Sequence, residues 1–299
     1  MSIPCYPDFV PLSIELKELL HPRLSLTPDG VSEFTFSGLF LFRNKYNYRI
    51  SLDGPEGGFI ISGEQNGKTF FMTPCSAPNR ETLKSLFAVH DCWKNISESV
   101  LFPSQQELEE RGIVFTEDRN NFDYLYLRSD LAELKGKKYH KKKNHVNSFL
   151  HNYPEHEQRP MSPELVPAAL EILDRWQEKK LLHVNSNEED LDYKAAREAL
   201  ILFDSLTLRG TMFFVNGKPA AYCLGESIAK GKMFAVHFEK AIDEYKGVYQ
   251  YMNQAFAASL PRFFTFINRE QDLGNEGLRQ AKMTYRPCDF VRKYVGVLS

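Results

Sequence analysis

The order of predicted elements in residues 162–299 is the feature that most narrows the fold of this chain. Pro163 stands at the first position of a predicted helix, and a capping-box pair, Ser186 and Glu189, precedes a second one. Three apolar segments with turn signals between them predict three strands. A helix, a strand, a short helix and a last strand complete the order α-α-β-β-β-α-β-α-β, which predicts a mixed α/β fold.

The first half is predicted to place strands before helices and a later strand. Four aromatic and β-branched segments predict the strands: EFTFSGLFLF, YNYRISL, GGFIISGEQ and KTFFMTP, with a hairpin turn at Asn66-Gly67. Helices are predicted over RETLKSLFAVHDCWKN and PSQQELEERG, and a strand over FDYLYLRSD. The polar segment HNYPEHEQRPMSPE is typical of a linker. The sequence therefore predicts two domains of similar topology, residues 1–155 and 162–299.

Composition and segment lengths narrow the class of protein. The amino terminus lacks the charged and apolar regions of a signal peptide, and no run of about 18 apolar residues occurs, so we expect a cytoplasmic protein without a membrane span. The five cysteines follow no CxxC spacing, and His140 and His145 have the wrong separation for a helical metal site, so reduced thiols and no bound metal are expected. The net charge of −2 disfavours nucleic-acid binding over the whole surface but is compatible with a local basic site.

That basic site is predicted in LKGKKYHKKKNH, residues 134–145, which holds six lysines and two histidines. If residues 129–153 form one helix, Lys135, Lys138 and Lys142 interrupt an apolar face of that helix. Unpaired ammonium groups are costly to bury, so this face is expected to border a cleft that holds a phosphate-bearing partner. The alternative is that Gly136 breaks the helix and that the lysines are only solvated.

The densest polar cluster of the second half is FINREQDLGNEGLRQAKMTYRP, residues 266–287. It begins at the end of a predicted strand, where α/β folds present ligand-binding groups. Asn268, Arg269, Glu270 and Asp272 leave this strand end. Arg279 and Lys282 are neighbours on one face of the next helix. Two interpretations stay open: a salt-bridged structural corner, or a pocket in which carboxylates hold an amine and cations hold a phosphate or carboxylate.

Together, LKGKKYHKKKNHVNSFL and INREQDLGNEGLRQAKMTYRP resemble the uncharacterised bacterial family related to the carboxy-terminal catalytic domain of phosphatidylglycerol lysyltransferases. The resemblance covers essentially the whole chain. It implies two tandem GNAT-like domains, each a mixed sheet flanked by helices, as in the Fem-type enzymes that take amino acids from aminoacyl-tRNA.

The resemblance also implies a donor cleft where two central strands separate, with the donor's phosphates at the start of the following helix. By order, the strands are MFAVHFE and FFTFIN, and the helix starts near Gly247. The segment DEYKGVYQYM has one glycine where GNAT acetyltransferases have a glycine-rich pyrophosphate loop, which disfavours coenzyme A. The chain also lacks the lysyltransferases' membrane-embedded portion, which disfavours a phospholipid acceptor.

We therefore expect an acyl- or aminoacyltransferase with no tightly bound cofactor. Its donor would carry phosphate, with aminoacyl-tRNA favoured over acyl-CoA, and its acceptor would be an amine or a hydroxyl. The alternatives are a CoA-dependent N-acetyltransferase and a non-catalytic RNA-binding module on the same fold. The expected catalytic residues are Asp272 and Glu239, as base or amine ligand, and Tyr285, as proton donor; the donor-binding residues are Lys135, Lys138, Lys142, Gly247, Asn268, Arg279 and Lys282.

Overall fold

Two mixed sheets flanked by helices form the fold, in a computed structural model that describes residues 2–181 and 191–299. The predicted capping box, Ser186 and Glu189, lies outside the described residues. The strands are β1 (Val10–Pro11), β2 (Arg49–Leu52), β3 (Phe59–Gln65), β4 (Lys68–Met72), β5 (Cys92–Ser97), β6 (Ile113–Glu117), β7 (Asp123–Leu127), β8 (His156–Pro160), β9 (Arg209–Val215), β10 (Lys218–Ile228), β11 (Met233–Ala241), β12 (Phe266–Asn268), β13 (Asp289–Val291) and β14 (Lys293–Leu298). The predicted α/β class is confirmed.

The helices lie on both sheets. They are α1 (Lys17–Leu24), α2 (Phe36–Leu41), α3 (Arg43–Tyr46), α4 (Arg80–Val89), α5 (Glu98–Leu101), α6 (Gln105–Glu110), α7 (Arg128–Glu133), α8 (His140–Asn152), α9 (Val166–Leu181), α10 (Leu191–Ile201), α11 (Val248–Ser259) and α12 (Glu276–Met283). From α9 onward the elements follow the predicted order α-α-β-β-β-α-β-α-β, with β14 as an added strand. The hairpin between β3 and β4 turns at Asn66-Gly67, both with positive φ, as predicted.

The two sheets exchange strands between the halves of the chain. The first sheet has the order β1-β2-β3-β4-β5-β14-β6, and the second has the order β13-β7-β12-β11-β10-β9-β8. Thus β14, from the carboxy terminus, lies between β5 and β6, while β7, from the first half, lies between β13 and β12. The division into residues 1–155 and 162–299 stays a prediction about domains, and it does not include this exchange.

Four sequence predictions of local structure are wrong. The helix predicted over RETLKSLFAVHDCWKN ends at Val89, and the residues from Cys92 onward belong to strand β5. The segment EFTFSGLFLF contains helix α2, whose amino terminus is capped by the Thr35 hydroxyl accepting from the Gly38 N–H. The predicted linker contains β8, an edge strand that pairs with β9. The predicted helix over residues 129–153 is two helices, because Leu134 and Gly136 have φ values of 46° and 87° and interrupt it.

A buried ammonium group fixes the junction between the sheets. The side chain of Lys293, at the start of β14, is fully buried. Its Nζ lies 2.7 Å from Asp123 Oδ1 at the start of β7 and also pairs with Glu33. Asp123 accepts further hydrogen bonds from Ser32 and Asn268. Since a buried ammonium group is tolerated only with such partners, these contacts tie the exchanged strands together.

The parallel strands β11 and β12 separate soon after they begin to pair. Their ladder joins Met233 to Phe266 and ends where Ala235 faces Asn268. Beyond this point, β11 continues to Ala241, while the chain after Asn268 turns away toward α12. The divergence leaves a gap at the centre of the second sheet, as the GNAT resemblance implied, and this gap positions the site.

Candidate functional site

A cleft of about 700 Å³ opens between the two sheets at the divergence of β11 and β12. One wall comes from β11, the loop after β12, and α12, while the other comes from α2, α3, β4 and β5. Apolar and aromatic side chains share these walls with charged ones, as in pockets that bind organic ligands. The charged side chains of the lining are Glu33, Lys45, Lys94, Lys180, Asp192, His237, Glu239, Lys240, Arg269, Glu270 and Lys282.

Two pairs of opposite charge cross the gap between the diverging strands. Strand β11 supplies His237 and Glu239, and the end of β12 supplies Arg269 and Glu270. Arg269 Nη2 donates to Glu239 Oε2, and His237 Nδ1 lies 2.7 Å from Glu270 Oε1. Each strand thus contributes one cation and one carboxylate, so a substrate in the gap meets both signs of charge at fixed positions.

Arg269 keeps unused hydrogen-bonding capacity. Its Nε and Nη1 groups are buried and have no hydrogen-bond partner among the described residues. The guanidinium carbon lies 5.1 Å from the ring centre of Tyr285 and 5.9 Å from that of Tyr126. Burial opposes the charge of Arg269, but Glu239 and the two tyrosines outweigh it and raise the pKa of this guanidinium above its usual range. Arg269 therefore stays positive in the cleft wall.

His237 is held between two carboxylates. Its side chain is 5% exposed, and its Nε2 lies 3.1 Å from Oε1 of Glu226, which is itself buried. Burial alone would lower the pKa of His237, but its bonds to Glu226 and Glu270 raise that pKa to about 10. The imidazole is consequently a positive, doubly donating ring at neutral pH.

Glu239 and Tyr285, two of the predicted catalytic residues, line the cleft. Both carboxylate oxygens of Glu239 are occupied, since Oε1 accepts from Asn253 at 3.0 Å and Oε2 accepts from Arg269. Burial raises the pKa of Tyr285 to about 12, so its hydroxyl carries a proton at neutral pH. The assigned roles of both residues stay predictions.

The third predicted catalytic residue, Asp272, lies in a closed ionic corner. It is fully buried and accepts from Tyr124 Oη at 2.6 Å and from the Gly274 N–H at 2.8 Å. Arg279 donates to both of its oxygens at 3.0 Å, and Arg119 approaches to 3.4 Å. Burial opposes the charge, but these partners, Arg279 foremost, hold the pKa of Asp272 well below its usual range. The geometry matches the salt-bridged corner, and the roles predicted for Asp272 and Arg279 stay predictions.

Two further predicted donor-binding residues support the end of β12. Lys282 Nζ donates to the backbone carbonyls of Arg269, Glu270 and Gln271 at 2.7, 3.2 and 2.5 Å. Burial lowers the pKa of Lys282 to about 8. The Asn268 side chain is fully buried and donates to Asp123 and to the Gly30 carbonyl. Both side chains position the cleft loop, although Lys282 also lines the cleft.

The structure separates the three predicted phosphate-binding lysines. Lys135 and Lys138 are exposed and pair with nearby Glu133 and Asp130. Lys142 is half-buried, and its Nζ lies 4.0 Å from the ring centre of Tyr285. Burial, and then the charge of Arg269, lower the pKa of Lys142. Of the three, only Lys142 thus approaches a residue that lines the cleft, Tyr285.

Gly247 precedes α11, as predicted, but its surroundings are occupied. A Cβ atom there would lie 2.6 Å from the His145 carbonyl oxygen, so α8 packs directly against this turn. The Lys246 N–H donates to Tyr153 Oη, and the Val248 N–H donates to the Tyr245 carbonyl. The Val248 bond uses one of the first-turn N–H groups that could bind a phosphate at this helix end.

His237 and Glu226 were not among the residues predicted from the sequence, whereas Arg269 and Glu270 were placed in the polar cluster without a role of their own. A signal for His237 existed: in MFAVHFEKA, His237 and Glu239 are polar residues with a period of two in an otherwise apolar strand segment. That spacing places both on one face of β11. Glu226, on β10, had no comparable signal, because its role depends on the pairing of β10 with β11.

Three further features concern metal binding, membrane spans and cysteines. No group of three or more metal-binding side chains occurs among residues 2–181 and 191–299. Within the same ranges, no helix has the length and apolar character needed to cross a membrane. The cysteines Cys5, Cys75, Cys92, Cys223 and Cys288 are unpaired, and only Cys223 is buried.

Comparison with known proteins gives one family match over most of the chain. Residues 25–296 match the family described as "Phosphatidylglycerol lysyltransferase, C-terminal". A curated relative, an uncharacterised protein of Mycoplasmoides gallisepticum, is 22% identical over 177 residues, or 58% of this chain. The matched region spans only 55% of that relative's length.

Two solved structures extend the comparison. The crystal structure of a conserved protein of unknown function from Bacteroides thetaiotaomicron is 30% identical, with a TM-score of 0.87 over 97% of this chain and 99% of that one. The structure of L-PGS from Bacillus licheniformis is 13% identical, with a TM-score of 0.59 over 99% of this chain and 94% of that one. The second likeness is one of fold.

Proposed function

This chain belongs to the family of the phosphatidylglycerol lysyltransferase carboxy-terminal domain, and from that premise we propose that it is an aminoacyltransferase. It takes an aminoacyl group from aminoacyl-tRNA and transfers it to an amine or hydroxyl acceptor. The observation that carries the proposal is the cleft at the divergence of β11 and β12, in which the pairs Arg269–Glu239 and His237–Glu270 face each other.

The charges of the cleft suit an ester donor attached to a nucleic acid. Lys142 and Arg269 flank the ring of Tyr285 and place two positive charges at one end of the site. Such charges stabilise a phosphate in the bound donor and the oxyanion that develops at the ester carbonyl. The protonated Tyr285 hydroxyl is the nearby group that could donate a proton to the leaving oxygen.

The basic helix α8 supports a tRNA donor in particular. Lys137, Lys141 and Lys143 are exposed on the same segment that carries Lys142 to the ring of Tyr285. Exposed lysines on one short segment attract a phosphate backbone without reading its sequence. One segment thus joins an RNA-attracting surface to the reacting centre, which a small-molecule donor would not require.

A CoA-dependent N-acetyltransferase is the second candidate on this fold. Its diphosphate would need the start of α11, where neighbouring groups already accept the Lys246 and Val248 N–H groups. Asp243 and Glu244 add negative charge close to this turn, although they pair with Lys179 and Arg175. These contacts favour aminoacyl-tRNA over coenzyme A.

The test incubates the full chain with tRNA charged with each radiolabelled amino acid in turn, using hydroxylamine as a probe nucleophile. We expect protein-dependent formation of an aminoacyl hydroxamate from at least one aminoacyl-tRNA, above the rate without protein. A parallel reaction with acetyl-CoA should show no thiol release. Thiol release with stable aminoacyl-tRNA would favour the acetyltransferase, and tRNA binding without turnover of any donor would favour the RNA-binding module.

A further inference from the structure

Hydrogen-bonded side chains connect strand β10, through strand β11, to the wall of the cleft. Glu226, on β10, binds one nitrogen of His237, and the other nitrogen binds Glu270 at the cleft wall. Resting on the proposed transfer function, we propose that Glu270 is the catalytic base of the reaction and that His237, anchored by Glu226, is its positioning residue.

Glu270 is the carboxylate of this gap that keeps an oxygen available. Its Oε1 binds His237, while Oε2 has no hydrogen-bond partner among the described residues, and 27% of the side chain is exposed. Both oxygens of Glu239 are occupied by Asn253 and Arg269. Of these two carboxylates, Glu270 is therefore the one able to accept a proton from a substrate.

The backbone at Glu270 is held in a strained conformation. Its φ is 56°, in the left-handed region that non-glycine residues seldom occupy. The Glu270 N–H donates to the buried Asn268 side chain, and the Glu270 carbonyl accepts from Lys282 and from the Tyr124 N–H. Strained residues that several buried groups hold in place are concentrated at functional sites, and Glu270, held in this way, lines the cleft.

His237 cannot itself be the base, because both ring nitrogens already donate to carboxylates. Burial is strong, yet these two bonds keep the ring protonated, with the pKa raised to about 10. The other polar groups near this line are Lys282 of α12, close to Glu270, together with His21 of α1 and Ser37 of α2, both close to Glu226. The fixed ring beside Glu270 holds Oε1 of that carboxylate in place.

The chemical step balances without another reactant. The acceptor's neutral amine or hydroxyl attacks the ester carbonyl carbon of the donor, and Glu270 takes the proton that the nucleophile loses. The tetrahedral intermediate then collapses, and the bond between the carbonyl carbon and the ribose oxygen breaks with its electron pair leaving on oxygen. Glu270 returns the proton to that oxygen, directly or through Tyr285.

The experiment measures steady-state transfer by the full chain and its variants, with thermal unfolding to check that each one folds. Because positioned bases contribute about 10² to 10⁴ in rate, Glu270→Gln should lower kcat at least 100-fold with KM within threefold of wild type. Formate should restore part of the activity of Glu270→Ala. Glu33→Gln tests whether Glu33, the carboxylate on the opposite wall of the cleft, is the base instead. Glu198→Gln, which removes a half-buried partner of Arg43, is the matched control, and its kcat should be unchanged.

His237→Gln tests the positioning role through the pH profile. Removing a positive ring from beside a carboxylate disfavours the carboxylate's charged form, so the acidic limb of kcat should move to higher pH. A Glu270→Gln variant that keeps more than a third of wild-type kcat, or a greater loss in Glu33→Gln, overturns the assignment of the base. An unchanged profile in folded His237→Gln overturns the positioning role. A wild-type protein inactive with every donor instead rejects the proposed function, on which this inference rests.

Discussion

At the scale of single residues, the charged groups near β12 divide by whether their hydrogen-bonding capacity is already used. Asp272 and Lys282 form their hydrogen bonds within the loop and the next helix. Arg269 and Glu270 each have side-chain atoms beside the cleft that form no hydrogen bond with the described residues. The sequence predicted a polar cluster at residues 266–287 but could not divide it in this way. The partners that decide the division, Tyr124, Arg119 and Glu239, come from distant parts of the chain.

Replacing Asp272 with Asn should mainly lower stability. It breaks the buried pair with Arg279 and should cost about 3 kcal/mol in the free energy of unfolding at neutral pH. The pKa of Asp272 is lower in the folded state than in the unfolded chain, so its contribution is present above the unfolded pKa of about 3.9. It is lost as pH falls, and urea unfolding should find the two proteins converging below about pH 4.

The matched control for this change is Glu276→Gln. Glu276 pairs with the same Arg279, but its side chain is 82% exposed, and surface pairs contribute little. The control should unfold at almost the wild-type urea concentration. Equal losses in both variants would mean that the corner at Asp272 is not the stabilising unit.

At the scale of elements, most helices and strands could be located from the sequence. The errors fall on segments whose secondary structure depends on tertiary contacts. The buried run around Phe36 has no polar face, so its periodicity does not distinguish a helix from a strand; the Thr35 cap and burial on several sides favour the helix. A helix break at Gly136 was kept as an alternative, and the structure has this break, with positive φ at Leu134 and Gly136. Of the three chosen lysines, only Lys142 contacts a residue of the cleft lining, Tyr285.

The lysines of α8 and the turn before it should act on RNA affinity. Replacing Lys137, Lys141 and Lys143 with Gln should weaken tRNA binding at least tenfold at low salt, because three exposed cations are lost. The slope of log affinity against log salt should become shallower by about 2 to 3, as expected for the loss of three phosphate contacts. The measurement is filter binding or fluorescence anisotropy over a series of salt concentrations.

Two comparisons make this result specific. Gln substitutions at Lys68, Arg80 and Lys84 remove the same charge near the first sheet and should leave the salt slope near the wild-type value. Gln substitutions at Lys135, Lys138 and Lys142 should weaken tRNA binding less than those at Lys137, Lys141 and Lys143. Two members of the first set, Lys135 and Lys138, have local carboxylate partners. Equal losses in all three variants would mean that the charge acts as a diffuse field.

At the scale of the whole molecule, the exchange of β7 and β14 between the two sheets could not be predicted from the sequence. Local patterns predict strands, but the pairing of β14 with β5 and β6 joins segments nearly two hundred residues apart. The Lys293–Asp123 pair that fixes the junction likewise links residues 170 positions apart. The predicted division into residues 1–155 and 162–299 rested on local composition, which carries no information about such pairing.

The exchange makes a prediction about the two halves. Residues 1–155 alone lack β14, so β5 and β6 lose their shared neighbour, and Asp123 and Glu33 lose the buried cation between them. We expect no cooperative urea transition from this fragment by circular dichroism. Mixing it with residues 156–299 should restore a cooperative transition, because each fragment supplies a strand to the other's sheet.

A linked fragment tests whether β14 is the missing element. Residues 1–122 joined through a Gly/Ser linker to residues 292–299 contain every strand of the first sheet, and should gain strand signal over the same fragment with residues 292–299 scrambled. The added segment restores backbone partners for both β5 and β6, whereas the scrambled one keeps composition and length but loses the apolar register. If residues 1–155 unfold cooperatively by themselves, with a stability near that of the whole chain, the halves are independent domains and the exchanged strands are dispensable for folding.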